Sequence, residues 1–173
     1  MDGEGWGYVC CVLDLYTRRI VGWSIEPHMT HEMVLAALNI AYVNRRAPRG
    51  LIFHSDRGSQ YASADVRAWL ALRGLRQSMS GTGNCYDNAP MESFWHSLKV
   101  VETRGQNFAT QAAAKHCVFA YIEGCYNTTR MHSSLGCKSP AQFERGSSPK
   151  STAANDELII HNSNAARLNQ RAA

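Results

Sequence analysis

An α/β domain is what the sequence predicts, on three observations. Two β-branched and aromatic runs open the chain, Tyr8-Val-Cys-Cys-Val-Leu13 and Ile20-Val-Gly-Trp-Ser-Ile25. Beyond them, stretches with apolar residues at helical spacing alternate with short apolar runs, and Gly and Pro punctuate the changes of pattern. That order, strand, strand, helix, strand, helix, strand, loop, helix, makes one layered domain whose functional groups gather at strand ends facing a crevice.

The first two runs read as an antiparallel hairpin with its turn near Tyr16 to Arg18, and Pro27 ends the second strand. Thr30 is placed to cap a helix whose Val34, Leu35, Leu38, Ala41 and Tyr42 share a face, and Pro48 forbids its continuation. Leu51-Ile-Phe53 reads as a buried strand ending at His54-Ser-Asp56-Arg-Gly58. A helix starts at Ser63, buries Val66, Trp69 and Leu70, and stops at Gly74, before a strand over Leu75 to Met79. Ser80 to Asp87 is too rich in Gly and small polar residues for regular structure and is expected to be a mobile loop. Helices follow from about Asn88 to Val101 and from about Thr110 to Tyr126. Beyond Phe143 the chain is rich in Ser, Ala and Asn, and apart from Glu157-Leu-Ile-Ile160 it has no apolar pattern. The expected division is therefore a domain over 1–145 and a disordered tail over 146–173.

With 173 residues, 45% of them apolar, the chain can bury one good-sized core. No apolar run is longer than Tyr8 to Leu13, far short of the roughly 18 to 20 residues of a membrane span, and no basic leader precedes an apolar segment, so membrane insertion and secretion are not expected. Six cysteines without a C-x-x-C pair or a regular framework read as free thiols in a reducing cytoplasm, and Cys10 and Cys11 as small fillers at the core and surface. A cysteine-based zinc or redox site is disfavoured by the same spacings. Of the net charge of +4, an equal surplus lies between Ser93 and Lys150, which favours a polyanionic partner.

Asp56 closes a strand, and Glu92 falls in the first turns of the helix after the small-residue loop, with 35 residues between them. Two carboxylates converging in one cleft repel each other, and a divalent cation is the usual reason to bring them together. His96 and Lys99 follow Glu92 at i+4 and i+7, on one helix face, where cations could hold phosphate. By position alone Asp56 also suits a turn, Glu92 a helix-dipole partner, and His96 with Lys99 a solvated face.

Five segments together change that balance: Val12-Leu-Asp-Leu-Tyr-Thr-Arg-Arg-Ile-Val-Gly-Trp23, His54-Ser-Asp-Arg-Gly-Ser-Gln-Tyr61, Gly83-Asn-Cys-Tyr-Asp-Asn-Ala-Pro-Met-Glu-Ser-Phe-Trp95, Tyr126-Asn-Thr-Thr-Arg-Met-His-Ser-Ser-Leu135 and Lys138-Ser-Pro-Ala-Gln-Phe143. In this order, from about Gly5 to Glu144, the chain resembles the integrase catalytic core of bacterial insertion-sequence transposases, the orfB-type relatives of retroviral integrases. The resemblance implies an RNase H-like fold, a mixed five-stranded sheet flanked by helices. It also implies an Asp, Asp, Glu triad holding two magnesium or manganese ions, in which Asp56 and Glu92 take the second and third roles. His96 and Lys99 would face the DNA backbone. The implied chemistry is metal-assisted phosphoryl transfer, with DNA ends and target as substrates and self-association or association with full-length transposase as further contacts. Tyr86, Asp87 and Asn88 would order the loop before Glu92.

One departure is large. The family's first strand, with its catalytic Asp, precedes the hairpin strand, and nothing before Tyr8 corresponds to it. Asp2 falls at a hairpin turn and Asp14 at the strand end away from the metals, so neither is expected to replace that Asp. The expectation is a catalytic-core fragment that lacks the central strand of its sheet and is inactive alone, with a non-catalytic DNA-binding or transposase-interacting remnant as the alternative. Loss of a central strand would leave buried strand edges unpaired and the chain only partly folded. Glu157-Leu-Ile-Ile160 is the spare apolar stretch, and its shortness argues against its entering the gap.

Overall fold

The computed structural model describes residues 7–81, 89–99, 108 and 110–146, and the backbone of 157–161. The hairpin forms as the sequence predicts. Strand β1 (Tyr8–Asp14) pairs antiparallel with β2 (Ile20–Glu26), with Cys11 opposite Trp23 and a register shift after Val12. The Asp14 carboxylate shapes the turn: Oδ1 accepts from the backbone N–H groups of Tyr16 (2.9 Å) and Thr17 (3.1 Å). Helix α1 (His31–Arg45) then packs on β2. Thr30 does hold the N-cap position, but its side chain makes no capping hydrogen bond to the helix backbone.

Strand β3 (Ile52–Ser55), helix α2 (Ala64–Leu72) and strand β4 (Arg76–Met79) form a βαβ unit, with β3 and β4 parallel. Ser63 caps α2 by accepting from the Val66 N–H at 3.3 Å, and Gly74 follows the helix at φ +68. On the other side lie α3 (Ala89–Leu98) and α4 (Gln111–Phe119), the latter capped by the Thr110 hydroxyl, which accepts from the Ala113 N–H at 3.1 Å. The helix expected from Thr110 to Tyr126 changes character midway, because Ala120–Tyr126 is wound as a π-helix. That winding ends at Asn127, whose fully buried side chain pairs with β2 like an added strand residue: the Ile20 N–H donates to Oδ1 at 2.9 Å, and Nδ2 donates to the Ile20 carbonyl at 3.0 Å.

Helix α5 (Pro140–Gly146), in a stretch where no helix is expected, is set by a reciprocal cap. The Ser139 N–H donates to Gln142 Oε1 (3.0 Å) while the Gln142 N–H donates to Ser139 Oγ (3.3 Å), with Pro140 at the first helical position.

The largest difference from expectation is strand β5 (Glu157–His161). The five-stranded sheet runs β2-β1-β5-β3-β4, so the central strand is supplied by the segment predicted to be part of a disordered tail. It pairs antiparallel with β1 from Cys11↔His161 to Asp14↔Leu158, and parallel with β3 from Ile52↔Glu157 to His54↔Ile159. Five residues suffice because β3 has only four and the paired stretch of β1 is equally short, so shortness is no obstacle. The expected gap between β1 and β3 is thus filled. The rest of 147–173, like Asp2, the loop residues 82–88 that include Tyr86, Asp87 and Asn88, and Val101, lies outside the described residues.

Because β1 is covered on both faces, alternate residues feed two cores. Val9, Cys11 and Leu13 join Phe94, Trp95, Leu98 and Tyr121 on the α3 and α4 side, while Cys10 and Val12 join Val34, Leu38, Val66 and Leu70 on the α1 and α2 side. Both cysteines are therefore core residues, and burial, partly offset by a hydrogen bond with Tyr61, pushes the Cys10 thiol up to about 12.

An ionic knot ties the hairpin turn to α1 and α5. Arg45 pairs with Asp14 (2.9 Å) and with Glu144, and Arg19 pairs with Glu144 at 2.6 Å. Burial acts to raise the Glu144 carboxyl pKa, but Arg45 and Arg19 together outweigh it and hold the group below the usual carboxylate value. A carboxylate depressed in the folded state stabilises fully above its unfolded pKa and ceases to as pH falls through the folded value. The melting temperature of the wild type is thus expected to fall more steeply below about pH 4.5 than that of Glu144→Gln, which starts lower at pH 7. Parallel curves in a pH series of thermal melts would show that the knot contributes nothing.

Candidate functional site

The end of β3 is held by side chains from both parallel strands. His54 is buried, its Nδ1 3.0 Å from the Ser78 hydroxyl and its Nε2 3.1 Å from the Ser80 hydroxyl. The Ser80 N–H donates to the Ser55 carbonyl at 3.0 Å, and Arg57 Nε donates to the Ser80 carbonyl at 2.9 Å. Asp56, immediately after β3, leaves this frame half-buried, and its Oδ1 accepts from the Gly58 N–H at 2.8 Å. Gly58 permits that turn because a Cβ there would lie 2.9 Å from Asp56 Oδ1. Asp56 is thus both the turn residue that its position suggests and a carboxylate held at a strand end, and its charge reaches the middle of β1, where it adds to the upward push on Cys10.

Glu92 stands in the first turn of α3 and is exposed. Pro90 in that turn suits a helix start, where its missing N–H is one the helix would not use. Met91, Phe94, Trp95 and Leu98 turn inward, and this burial leaves Glu92, His96 and Lys99 exposed on the opposite face, as their spacing requires. The helix rests against β5, the strand beside β3. Its first turn lies by the hairpin turn at Arg18, whereas Asp56 leaves β3 at the ladder's other end. Among the described residues, no three of His, Cys, Asp and Glu are grouped to hold a metal ion. Asp14, committed to the turn and to Arg45, is a structural residue here.

Sequence reasoning missed the residues that fix Asp56. His54, Arg57 and Gly58 stand in the same short segment, but the serines that anchor His54, Ser78 of β4 and Ser80 just after it, come about 25 positions on. Only the parallel pairing of β3 with β4 unites them.

Residues 1–85 match a family model described as an integrase core domain, and residues 92–147 match a second model of the same description. The chain belongs to the integrase core family. Asp56 and Glu92 both fall within the matched stretches, whereas β5 lies beyond them. This integrase core is 49% identical over 141 residues to the transposase InsF for insertion sequence IS3A of Escherichia coli strain K12, a match covering 82% of this chain and 49% of that protein. A 31 kDa protein of insertion element IS600 from Shigella sonnei is 47% identical over 140 residues, covering 81% of this chain and 52% of that one. The integrase core thus spans about half the length of these relatives. Among solved structures, it is similar to a chain of the simian T-cell lymphotropic virus intasome in complex with the PP2A regulatory subunit B56 gamma (TM-score 0.62, 15% identity, 79% of this chain and 47% of that one). It is also similar to the HTLV-2 integrase catalytic core domain in complex with magnesium (TM-score 0.58, 14% identity, 79% of this chain and 84% of that one). At those identities the likeness is one of fold, and it places this mixed sheet with its flanking helices in the RNase H-like class.

Proposed function

We propose that this integrase core is the catalytic portion of an insertion-sequence transposase that acts on DNA by metal-dependent phosphoryl transfer. The observation that carries the reading is the family match through both acids, Asp56 and Glu92, at 49% identity to a transposase over most of the chain. The donor type fits the ion class, since carboxylates are hard oxygen ligands of the kind magnesium and manganese take, but Asp56 and the first turn of α3 stand at opposite ends of the ladder here, so the family match, and not a formed site, is what pairs the two acids. When bound, such ions supply charge stabilisation at the phosphoryl oxygens and a nucleophile activated at neutral pH.

The chain's own residues have narrower tasks. Asp56, fixed by its bond to Gly58 and by the His54 frame behind it, offers a carboxylate in a set direction. Glu92 offers a second from an exposed helix face, and His96 and Lys99 on that face hold the DNA backbone. Lys99 is the stronger contact, because its ammonium is a compact full charge with three donors.

Manganese titrations followed by electron paramagnetic resonance test the assignment. Asp56→Asn and Glu92→Gln are each expected to weaken binding about tenfold or more, while Asp65→Asn on the exposed start of α2 leaves it unchanged. Unaltered affinity in both acid variants would overturn the site. Strand transfer by these 173 residues alone is expected to fall below detection, because two acids hold a two-ion centre poorly. Robust transfer abolished by Asp14→Asn would instead give Asp14 the first acid's role.

A further inference from the structure

On the α3 side of the sheet a crevice of about 310 Å³ opens between the hairpin turn, the first turn of α3 and the segment after the π-helix. It is roomy for a hydrated anion, given that one water occupies about 30 Å³. Its charged wall is Arg18, from the turn that Asp14 shapes, held at φ 59 in the left-handed region. Opposite stands His132, whose Nε2 is buried without a hydrogen-bond partner. Hydroxyls of Ser93, Ser133 and Ser134 also line it, and Tyr126 forms the floor, its ring edge-on to His132 at 5.1 Å.

Arg18 at this crevice has no ion-pair partner among the described residues. The nearby carboxylates of Asp14 and Glu144 are engaged by Arg45 and Arg19, and among the described residues Arg130 forms no ion pair either. His132 senses these surroundings: burial first, then Arg130 and Arg18, hold its pKa below the usual histidine value. The Arg18 guanidinium, an orphaned ring nitrogen and three serines offer donors at the crevice, and Arg130 adds positive charge at His132. A guanidinium fork matches two oxygens of a phosphate, and a hydroxyl can donate to a third.

We propose that this crevice is a phosphate-binding subsite, in which Arg18, His132 and the serine hydroxyls grip one phosphodiester of a DNA strand passing the start of α3. The inference deepens the transposase reading and rests on it for the source of the phosphate. It places a backbone contact one residue from Glu92, at Ser93, on a wall that none of His96, Lys99 or Asp56 lines.

The test has two arms on the full chain. In the first, inorganic phosphate is titrated while the His132 ring protons are followed by NMR. Phosphate is expected to raise the His132 pKa, since its negative charge offsets Arg18 and Arg130, and Arg18→Ala or Arg130→Ala is expected to weaken the response about tenfold or more, with Arg18→Lys between. In the second, duplex DNA binding is measured by anisotropy across a salt series. Arg18→Ala is expected to lower the slope of log affinity against log salt by about one, and Arg67→Ala on exposed α2 to leave it unchanged. A phosphate response that depends on Arg18, without DNA binding, keeps the anion subsite and removes the transposase reading. DNA binding indifferent to Arg18 and Arg130, with His132 unmoved by phosphate, overturns the subsite and leaves that reading standing.

Discussion

Ile159→Pro is expected to abolish cooperative folding. Ile159 sits at the middle of β5, opposite Leu13 of β1 and His54 of β3, so the substitution strikes the one strand that joins the two halves of the sheet. Proline removes a ladder donor and fits a sheet only at edges or bulges. Deleting 157–161 is more severe, because the facing backbone groups of β1 and β3 then lose their partners at about 1 to 3 kcal/mol for each one left buried. Several such groups rival a domain's whole net stability of about 5 to 15 kcal/mol. Urea unfolding and amide exchange check this: protection is expected to vanish in β1 and β3 together. A variant with the wild-type midpoint and protected β1 amides would mean that β5 is an accessory.

The second large effect is expected at Gly22, in the middle of β2. A Cβ there would stand 2.3 Å from the Ala37 carbonyl oxygen and 2.7 Å from the Ala41 nitrogen, both main-chain atoms of α1. Main chain in the centre of a 15-residue helix cannot swing aside as a side chain can, so the helix itself has to lift from the sheet. Overpacking usually costs about 1 to 3 kcal/mol, and Gly22→Ala belongs at or above the top of that range, with Gly22→Val beyond it. Thermal melts of the two variants measure the cost. A loss below about 1 kcal/mol for Gly22→Ala would show that α1 and β2 are less tightly apposed than the geometry requires.

Sequence pattern reached the elements whose signals are local. The hairpin, α1, β3, α2, β4 and α3 were legible because β-branched runs and helical spacing are read within a dozen residues, with boundaries set by Pro27, Pro48 and Gly74. Helix α5 carries an equally local signal, a capping box of Ser139-Pro140 followed by Gln142, which lies inside the segment that carries the family resemblance. The π-winding after Phe119 is accompanied by tertiary packing of Tyr121 and Tyr126 against Phe94, which no spacing rule reveals. Glu157 to Ile160 was visible as an apolar stretch, but its place in the sheet depends on partners at both ends of the chain.

The same contrast holds for the candidate site. Asp56 and Glu92 stand out from the spacing and the motifs that contain them. The crevice at Arg18 and His132 does not, because its walls are brought together only by the hairpin turn, α3 and the segment after the π-helix.

The position of β5 also sets a clock. Cys11 and His161, paired in the finished sheet, are 150 positions apart, whereas the hairpin with α1 and the unit from β3 to β4 each close within a few dozen residues. Both local units are complete once Met79 has been made and α1 can already pack on α2, yet β5 cannot bridge the two halves of the sheet until residue 161 emerges. At roughly 5 to 20 residues per second of synthesis, that wait lasts on the order of 4 to 16 seconds, long compared with the roughly microsecond formation of a hairpin. During it two sheet halves present open edges that can pair with those of a neighbouring nascent chain. A holdase supplied during synthesis is therefore expected to raise the yield of native protein by covering those edges.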